Sequence, residues 1–108
     1  MIKIKDNVLF QKDYRIAETI SIFEYAFSNP QEIDPTAPIA VISVDNSYME
    51  LNLSGALIYE SIENNESISE LSSKFVQLFG LANEKAKDTI TRFYAKLIEK
   101  GIVEVISD

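Results

Sequence analysis

The chain has 108 residues, of which 46% are hydrophobic and 25% charged, a composition typical of one soluble globular domain. Ten Lys and Arg stand against seventeen Asp and Glu. The resulting net charge of -7 argues against nucleic acid as a partner, because phosphate contacts need basic side chains. Neither Cys nor His is present, which excludes thiolate and imidazole chemistry, disulfides and the usual zinc ligands.

The sequence also points away from membranes and from catalysis. Residues 1–6 lack the apolar run of a signal peptide, and no stretch approaches the ~20 apolar residues of a membrane span, so we expect a cytoplasmic protein without a membrane partner. The carboxylates are scattered without an acid–base motif, and three glycines cannot form a Gly-rich phosphate loop. We therefore predict no enzymatic activity, no catalytic or metal-binding residues and no cofactor.

Two parts of the chain predict antiparallel strands. Alternating apolar residues indicate a strand at 7–12, with a strand-like arm at 2–5. Farther on, β-branched residues at 39–44, a polar turn at 45–47 and the alternating stretch 48–51 predict a hairpin.

The segment between them, 13–38, carries conflicting patterns. Thr19–Phe23 has the composition of a strand, whereas four apolar side chains recur at helical spacing. We favour a helix at 14–28, and three prolines within 29–38 predict a loop. The four apolar side chains are Ile16, Ile20, Phe23 and Phe27.

The hairpin leads directly into a helix. Met49 and Leu51 alternate with polar neighbours, and the apolar period becomes helical after Asn52, whose side chain can cap the first turn. Gly55 in that turn costs about 1 kcal/mol against Ala, which suggests close approach by another backbone. A glycine without a structural role is the other interpretation.

Three helices are predicted, at 53–64, 68–79 and 84–100, the second opened by a capping box at Ser67–Glu70. A short strand at 102–106 closes the chain. The fold class is therefore α+β, a winged-helix-like domain in which N-terminal antiparallel strands, including the hairpin, precede a three-helix bundle. The expected core members are Leu57, Ile58, Leu71, Phe75, Ile90, Phe93 and Leu97.

The junction of hairpin and helix also carries a motif, whose residues are Tyr48, Leu51, Asn52, Gly55, Ile58 and Tyr59. On its residues the chain resembles the PqqD-like family, whose members are also called RiPP recognition elements because they bind the leaders of ribosomally made peptides. The resemblance runs from about Ile39 to Ile106 and implies a single domain over 1–108, with an atypical insertion at about 13–38 where the family has a short link.

The resemblance implies that the leader pairs antiparallel with the strand before the first helix, bounded by the third helix. An edge strand can accept an added strand, whereas a strand paired on both sides or covered by the insertion cannot. One wall of the groove is then Met49 and Leu51, or Tyr48 and Glu50 if the faces are reversed. The candidate peptide-binding residues are Ser47, Tyr48, Met49, Glu50 and Leu51, with Lys87, Thr91, Tyr94 and Ile98 opposite.

The third predicted helix is locally basic. It holds five of the ten basic residues of the chain against three acids. Lys85, Arg92 and Lys96 form a flank that could steer an acidic leader by long-range attraction. A solvated helix face with cations near its C-terminus is the alternative interpretation.

Two functions follow from these observations. The first is an adaptor that holds a precursor peptide and presents it to a modifying enzyme, which in the family is often a radical SAM protein. That enzyme would carry the iron–sulfur cluster that a chain without Cys cannot ligate. The second is a winged-helix DNA-binding transcriptional regulator with its third helix in the major groove, for which the net charge of -7 is unfavourable.

Overall fold

The computed structural model describes residues 2–106. Most strands lie in the first half of the chain, and three of the four helices found in that range lie in the second half. None of these helices is long and apolar enough to cross a membrane. In chain order the elements are β1 (Ile2–Ile4), β2 (Val8–Lys12), α1 (Ile22–Ser28), β3 (Ala40–Val44), β4 (Ser47–Leu51), α2 (Leu53–Glu63), α3 (Ile68–Phe79), α4 (Asn83–Glu99) and β5 (Val103–Val105).

The strands form two antiparallel sheets. One contains β2, β3 and β4 in that order, and the other pairs β1 with β5 so that Ile2 lies opposite Val105. The α+β class, with N-terminal antiparallel strands followed by helices, is confirmed. The predicted arm at 2–5 and the closing strand at 102–106 are confirmed as well, although the sequence did not predict that they pair with each other.

The hairpin and the helix after it form as the sequence predicts. Asp45 adopts a left-handed φ of 53° in the turn between β3 and β4, a conformation that Asp tolerates. The Asn52 side-chain oxygen then accepts the Gly55 N–H at 3.1 Å, which caps α2 directly after β4 ends. Ser67 and Glu70 complete the predicted capping box at the start of α3.

The helix in the insertion is shorter than predicted. The expected helix at 14–28 is wrong for its first half, because only Ile22–Ser28 is helical. The helix begins where the Ser21 side chain accepts the Glu24 N–H at 3.1 Å. Ser21 is therefore the residue that caps this helix.

Side-chain hydrogen bonds explain why the chain before Ser21 forms turns and not a helix. The Asp13 carboxylate accepts both the backbone N–H and the guanidinium N–H of Arg15, each at 2.9 Å. The Lys12 ammonium donates to the carbonyls of Glu18 at 3.2 Å and Ile20 at 2.8 Å. These bonds satisfy backbone groups in a turn and so compete with the helical ladder.

One hydrophobic core joins the sheets and helices, and the insertion contributes Ile16, Ile22 and Ala26 to it. Phe93 is only half-buried, so its predicted full burial is wrong. Its ring lies against Gly55 and lines a surface cleft beside β4, which leaves one face of the ring uncovered. The other predicted core residues are buried as expected: Leu57, Ile58, Leu71, Phe75, Ile90 and Leu97.

Candidate peptide-binding cleft

β4 is an edge strand. It pairs with β3 on one side, and no other strand between residues 2 and 106 pairs with it. From the insertion, Thr36 and Pro38 line a pocket at the Leu51 end of the strand. The open edge therefore offers N–H and C=O groups to which an extended peptide can bond.

The hydrogen-bond pattern shows which residues of β4 face the open edge. The Asp13 N–H donates to the Ile39 carbonyl at 2.8 Å, and the two residues continue the register of β2 and β3, so by alternation the odd-numbered residues of β3 bond toward β2. The Ile39 N–H, just before β3, is an exception and donates to the Leu51 carbonyl at 2.8 Å. The even-numbered residues of β3 consequently bond toward β4. Their register partners in β4 are Ser47, Met49 and Leu51. Tyr48 and Glu50 lie between these partners and direct their own N–H and C=O groups to the edge.

The side chains of β4 alternate between the two faces of the sheet. Leu51 is buried and Met49 half-buried on the face that packs against the helices. Tyr48, 76% exposed, and Glu50 lie on the opposite, solvent-facing side. Of the two arrangements considered from the sequence, the structure therefore has Met49 and Leu51 facing the helices.

At the Leu51 end, β4 and α4 enclose a pocket of about 270 Å³. Met49, Leu51 and Phe93 supply apolar walls, and Lys96 lies beside them. Gly55 makes room for this arrangement, because a Cβ there would lie 3.1 Å from both Leu51 Cδ2 and Phe93 Cζ. The close approach expected at Gly55 exists, but side chains make it, not a backbone.

At the Ser47 end lies a second pocket, of about 440 Å³. Lys5 and Lys100 line it together with Ser47 and Met49. Because Met49 lines both pockets, the two form one cleft along β4, and we call this pair of pockets the β4 cleft. The apolar lining of the second pocket consists of Ile42, Val44, Met49 and Ile102.

The structure does not bring the four expected residues of α4 to the β4 cleft. Tyr94 lies in a different pocket, with Ile2 from β1 and Ile62 from α2. At 100° per residue, the other three share the flank of α4 that carries Tyr94, and all three are exposed. They are Lys87, Thr91 and Ile98.

The basic flank of α4 lies on the cleft side. Lys85, Arg92 and Lys96 share the side of the helix next to Phe93, but only Lys96 lines the cleft. Arg92 forms an exposed ion pair with Asp88 at 3.1 Å, which offsets its charge. Lys85 lies three turns, roughly 16 Å, before Lys96 and can contribute only to the long-range field.

Several cleft residues were missed from the sequence. Phe93 was predicted as a core residue because it lies in the apolar stripe of the helix, and this stripe does not show which of its members also borders a surface cleft. Lys5 and Lys100 come from opposite ends of the chain, and no local pattern links them. The Lys5 N–H donates to the Ile102 carbonyl at 3.0 Å, a contact that brings the two lysines to the same pocket.

Two tyrosines that pack on or in the core, Tyr59 and Tyr94, lie outside the β4 cleft. Burial raises the pKa of Tyr94, with the charge of Glu66 adding to it, and burial raises the pKa of Tyr59, so both phenols stay neutral. Over residues 2–106 no three His, Cys, Asp or Glu side chains are grouped to hold a metal ion. The cleft offers strand pairing, apolar contact and positive charge.

A family model described as Coenzyme PQQ synthesis protein D (PqqD) matches residues 39–103, more than half of the chain. The chain therefore belongs to the PqqD family. Among solved structures it is similar to "TbiB1 in Complex with the TbiA(beta) Leader Peptide", with a TM-score of 0.65 and 17% identity over 98% of this chain and 99% of that chain. This likeness is one of fold. A search of curated proteins found no match.

Proposed function

We propose that this protein binds the leader segment of a ribosomally made precursor peptide as an added strand on β4 and presents the peptide to a modifying enzyme. The observation that carries the proposal is an open strand edge beside an apolar cleft. Membership of the PqqD family supports it. The fold likeness to TbiB1, a protein solved with a leader peptide, agrees with it.

The expected affinity follows from the groups at the edge. Tyr48 and Glu50 offer up to four main-chain hydrogen bonds, each worth about 0.5–1.5 kcal/mol. Two apolar side chains of the leader, buried against Met49 and Phe93, would add about 1.5–3 kcal/mol each. These contributions amount to about 5–12 kcal/mol before the cost of ordering the peptide, so we expect a complex of micromolar affinity at best.

The modifying enzyme supplies the chemistry. We take a radical SAM enzyme as the candidate partner, because such enzymes often accompany this family. Cys thiolates normally hold an iron–sulfur cluster, and this chain contains no Cys. Holding the leader makes the encounter of substrate and enzyme intramolecular and so raises the effective concentration. A radical SAM enzyme encoded nearby should modify its precursor faster when this protein is added.

The DNA-binding alternative draws on the basic residues of α4. Arg92 is engaged with Asp88, and Lys96 lies in the β4 cleft. With a net charge of -7, few cations remain to neutralise phosphates. We expect no shift of duplex DNA at physiological salt; a shift that weakens steeply as salt rises would favour the regulator.

The main experiment removes one edge-facing N–H. Random peptides, each fused to a carrier through its C-terminal end, are selected for binding to the protein. The affinities of the selected peptides are then measured for the parent and for two variants. Glu50→Pro removes the N–H, whereas Glu50→Ala removes the same carboxylate and keeps the N–H. We expect Glu50→Pro to weaken binding at least about tenfold and Glu50→Ala to bind like the parent.

Circular dichroism and urea unfolding should show that both Glu50 variants remain folded, because Pro is tolerated where a strand N–H faces solvent. Met49→Pro is a useful contrast, since the Met49 N–H belongs to the ladder with β3 and its loss should disrupt the hairpin. Selected peptides that bind Glu50→Pro as tightly as Glu50→Ala would place the site elsewhere.

A further inference from the structure

The pocket at the Ser47 end of the β4 cleft combines two kinds of surface. Its floor is apolar, with Ile42 and Ile102 buried beneath it. Its rim carries two ammonium groups, from Lys5 and Lys100. The Lys5 ammonium lies close to the α4–β5 connection, because its Nζ is 3.8 Å from the position that a Cβ on Gly101 would occupy.

These lysines have no competing partner in the part of the chain that the structure describes. Neither Lys5 nor Lys100 forms an ion pair there, and the same holds for Lys96 in the pocket at the Leu51 end. The acidic residue that lines the pocket at the Ser47 end is Asp45, which accepts a hydrogen bond from Asn7 at 3.3 Å. A positive rim on a protein with a net charge of -7 is therefore a local feature.

The two pockets are spaced like residues of a paired strand. An added strand turns alternate side chains to the face that carries Met49 and Leu51. Its inward residues then lie opposite Leu51, Met49 and Ser47. The residue opposite Leu51 meets the apolar pocket with Phe93, and the residue opposite Ser47, four positions along, meets the pocket with Lys5 and Lys100.

We infer that the β4 cleft selects a leader with an apolar side chain and an acidic side chain four residues apart, the carboxylate lying between Lys5 and Lys100. This inference rests on the proposed function and deepens it. The apolar anchor fills the space beside Phe93. The carboxylate forms charge-assisted hydrogen bonds with ammonium groups that have no ion-pair partner among residues 2–106, which confers specificity against neutral and basic residues.

The test compares the peptides that are selected by the parent with those selected by two double variants. Lys5→Glu with Lys100→Glu reverses the rim of the pocket. Lys3→Glu with Lys87→Glu changes the net charge by the same amount, outside both pockets of the cleft. Because the peptides are fused through their C-terminal ends, every carboxylate that is enriched belongs to a side chain.

The parent and the Lys3–Lys87 variant should both enrich Asp or Glu four residues from an apolar position. The Lys5–Lys100 variant should lose that preference and enrich Lys or Arg there, while the apolar position stays the same. Acidic peptides from the parent selection should bind the Lys5–Lys100 variant at least about tenfold more weakly than they bind the parent.

The outcomes separate this inference from the function on which it rests. Peptides that depend on the Glu50 N–H but show no acidic preference would overturn the inference and leave strand addition intact. An acidic preference that survives in the Lys5–Lys100 variant would overturn it as well. If no selected peptide depends on the Glu50 N–H, both the proposed function and the inference fail.

Discussion

The three-stranded sheet has two edges, and a single row of inward side chains connects them. Phe10 in β2 lies opposite Ile42 in β3, which lies opposite Met49 in β4. At the β2 edge the Phe10 ring stacks on Tyr59, with centroids 4.4 Å apart. At the β4 edge Met49 lines open pockets on both sides. The same row therefore ends in the core at one edge and in a cleft at the other.

The charges differ in the same way. The turn after β2 places Asp13 and Glu18 beside that edge, and the Lys12 ammonium is held by two carbonyl oxygens. The β4 edge has Lys96 of α4 and Lys100, which directly follows α4, beside it. An unpaired edge is thus not enough for a peptide site. The inward side chains must leave space, and nearby charges must suit the ligand.

The largest expected effect tests the structural role of the β2 edge. Phe10→Ala removes the stack on Tyr59 and should lower the unfolding free energy by about 3 kcal/mol, while the folded fraction binds selected peptides normally. Met49→Ala should cost less stability, because Met49 is half-buried, and should weaken peptide binding. Urea unfolding and titration calorimetry measure the two quantities. Equal effects of both variants on affinity would abolish the distinction between the edges.

The next effect sharpens the description of the cleft. Gly55→Ala adds a methyl group 3.1 Å from Leu51 and Phe93, so these two side chains, which line the pocket, must shift by a few tenths of an ångström. The overpacking costs about 1–3 kcal/mol, and the better helix propensity of Ala offsets roughly 1 kcal/mol of that cost. We expect a net loss of about 1 kcal/mol in stability and a several-fold weaker peptide affinity. Unchanged affinity would show that the peptide does not enter the pocket beside Phe93.

A smaller effect concerns the rate of association. Lys96 lines the cleft without an ion pair among residues 2–106, whereas Arg92 is paired with Asp88. Lys96→Glu should slow association of acidic peptides several-fold at low salt, and Arg92→Glu should slow it less. Stopped-flow measurements from low to high salt provide the comparison. If Arg92→Glu had the larger effect, steering would come from the exposed side of α4 and not from the residue that lines the cleft.

The smallest effect is a pH dependence confined to the β2 side. Burial raises the pKa of Glu60, whose carboxylate accepts the Ile22 N–H at 2.8 Å, and burial together with the charge of Glu60 raises the pKa of Glu63. A carboxyl with a raised pKa binds more protons in the folded state than in the unfolded state. The unfolding free energy therefore falls as the pH rises above the ordinary value of 4.5.

Glu60→Gln keeps an acceptor for the Ile22 N–H and removes the charge. Its unfolding free energy should fall less than that of the parent between about pH 5 and about pH 7, and peptide affinity should be unchanged. Urea unfolding at both pH values gives the slopes. Parallel slopes for the two proteins would assign the pH dependence to other groups.

Much of the fold was predictable because local signals agreed with the tertiary structure. At the end of β4, strand alternation, the Asn52 cap and the helical period all indicated the same boundary, and the Ser67–Glu70 capping box did so for α3. Before Ser21 the apolar spacing favoured a helix, but the side chains of Lys12 and Asp13 bond to the backbone of a turn. Such bonds depend on a folded conformation that the spacing does not reveal.

The candidate site was predictable only in part, for a geometric reason. The motif identified β4, but a helical wheel gives the relative positions of side chains on α4 and not the direction of β4 from that helix. Either flank of the core stripe could face the strand, and the structure turns the flank with Phe93 and Lys96 to it. The Tyr94 flank lies toward β1 instead.

The pairing of β1 with β5 has a consequence for engineering. Because Ile2 lies opposite Val105, the two ends of the described chain leave the fold side by side. A short linker could join them, and new ends could be opened at the exposed residues 30–32, which precede Thr36 and Pro38 at the margin of the cleft. Such a circular permutant would keep β4 and α4 in one continuous stretch of chain. This protein could also be inserted into a loop of another protein, because its two ends need only a small separation between the points of attachment.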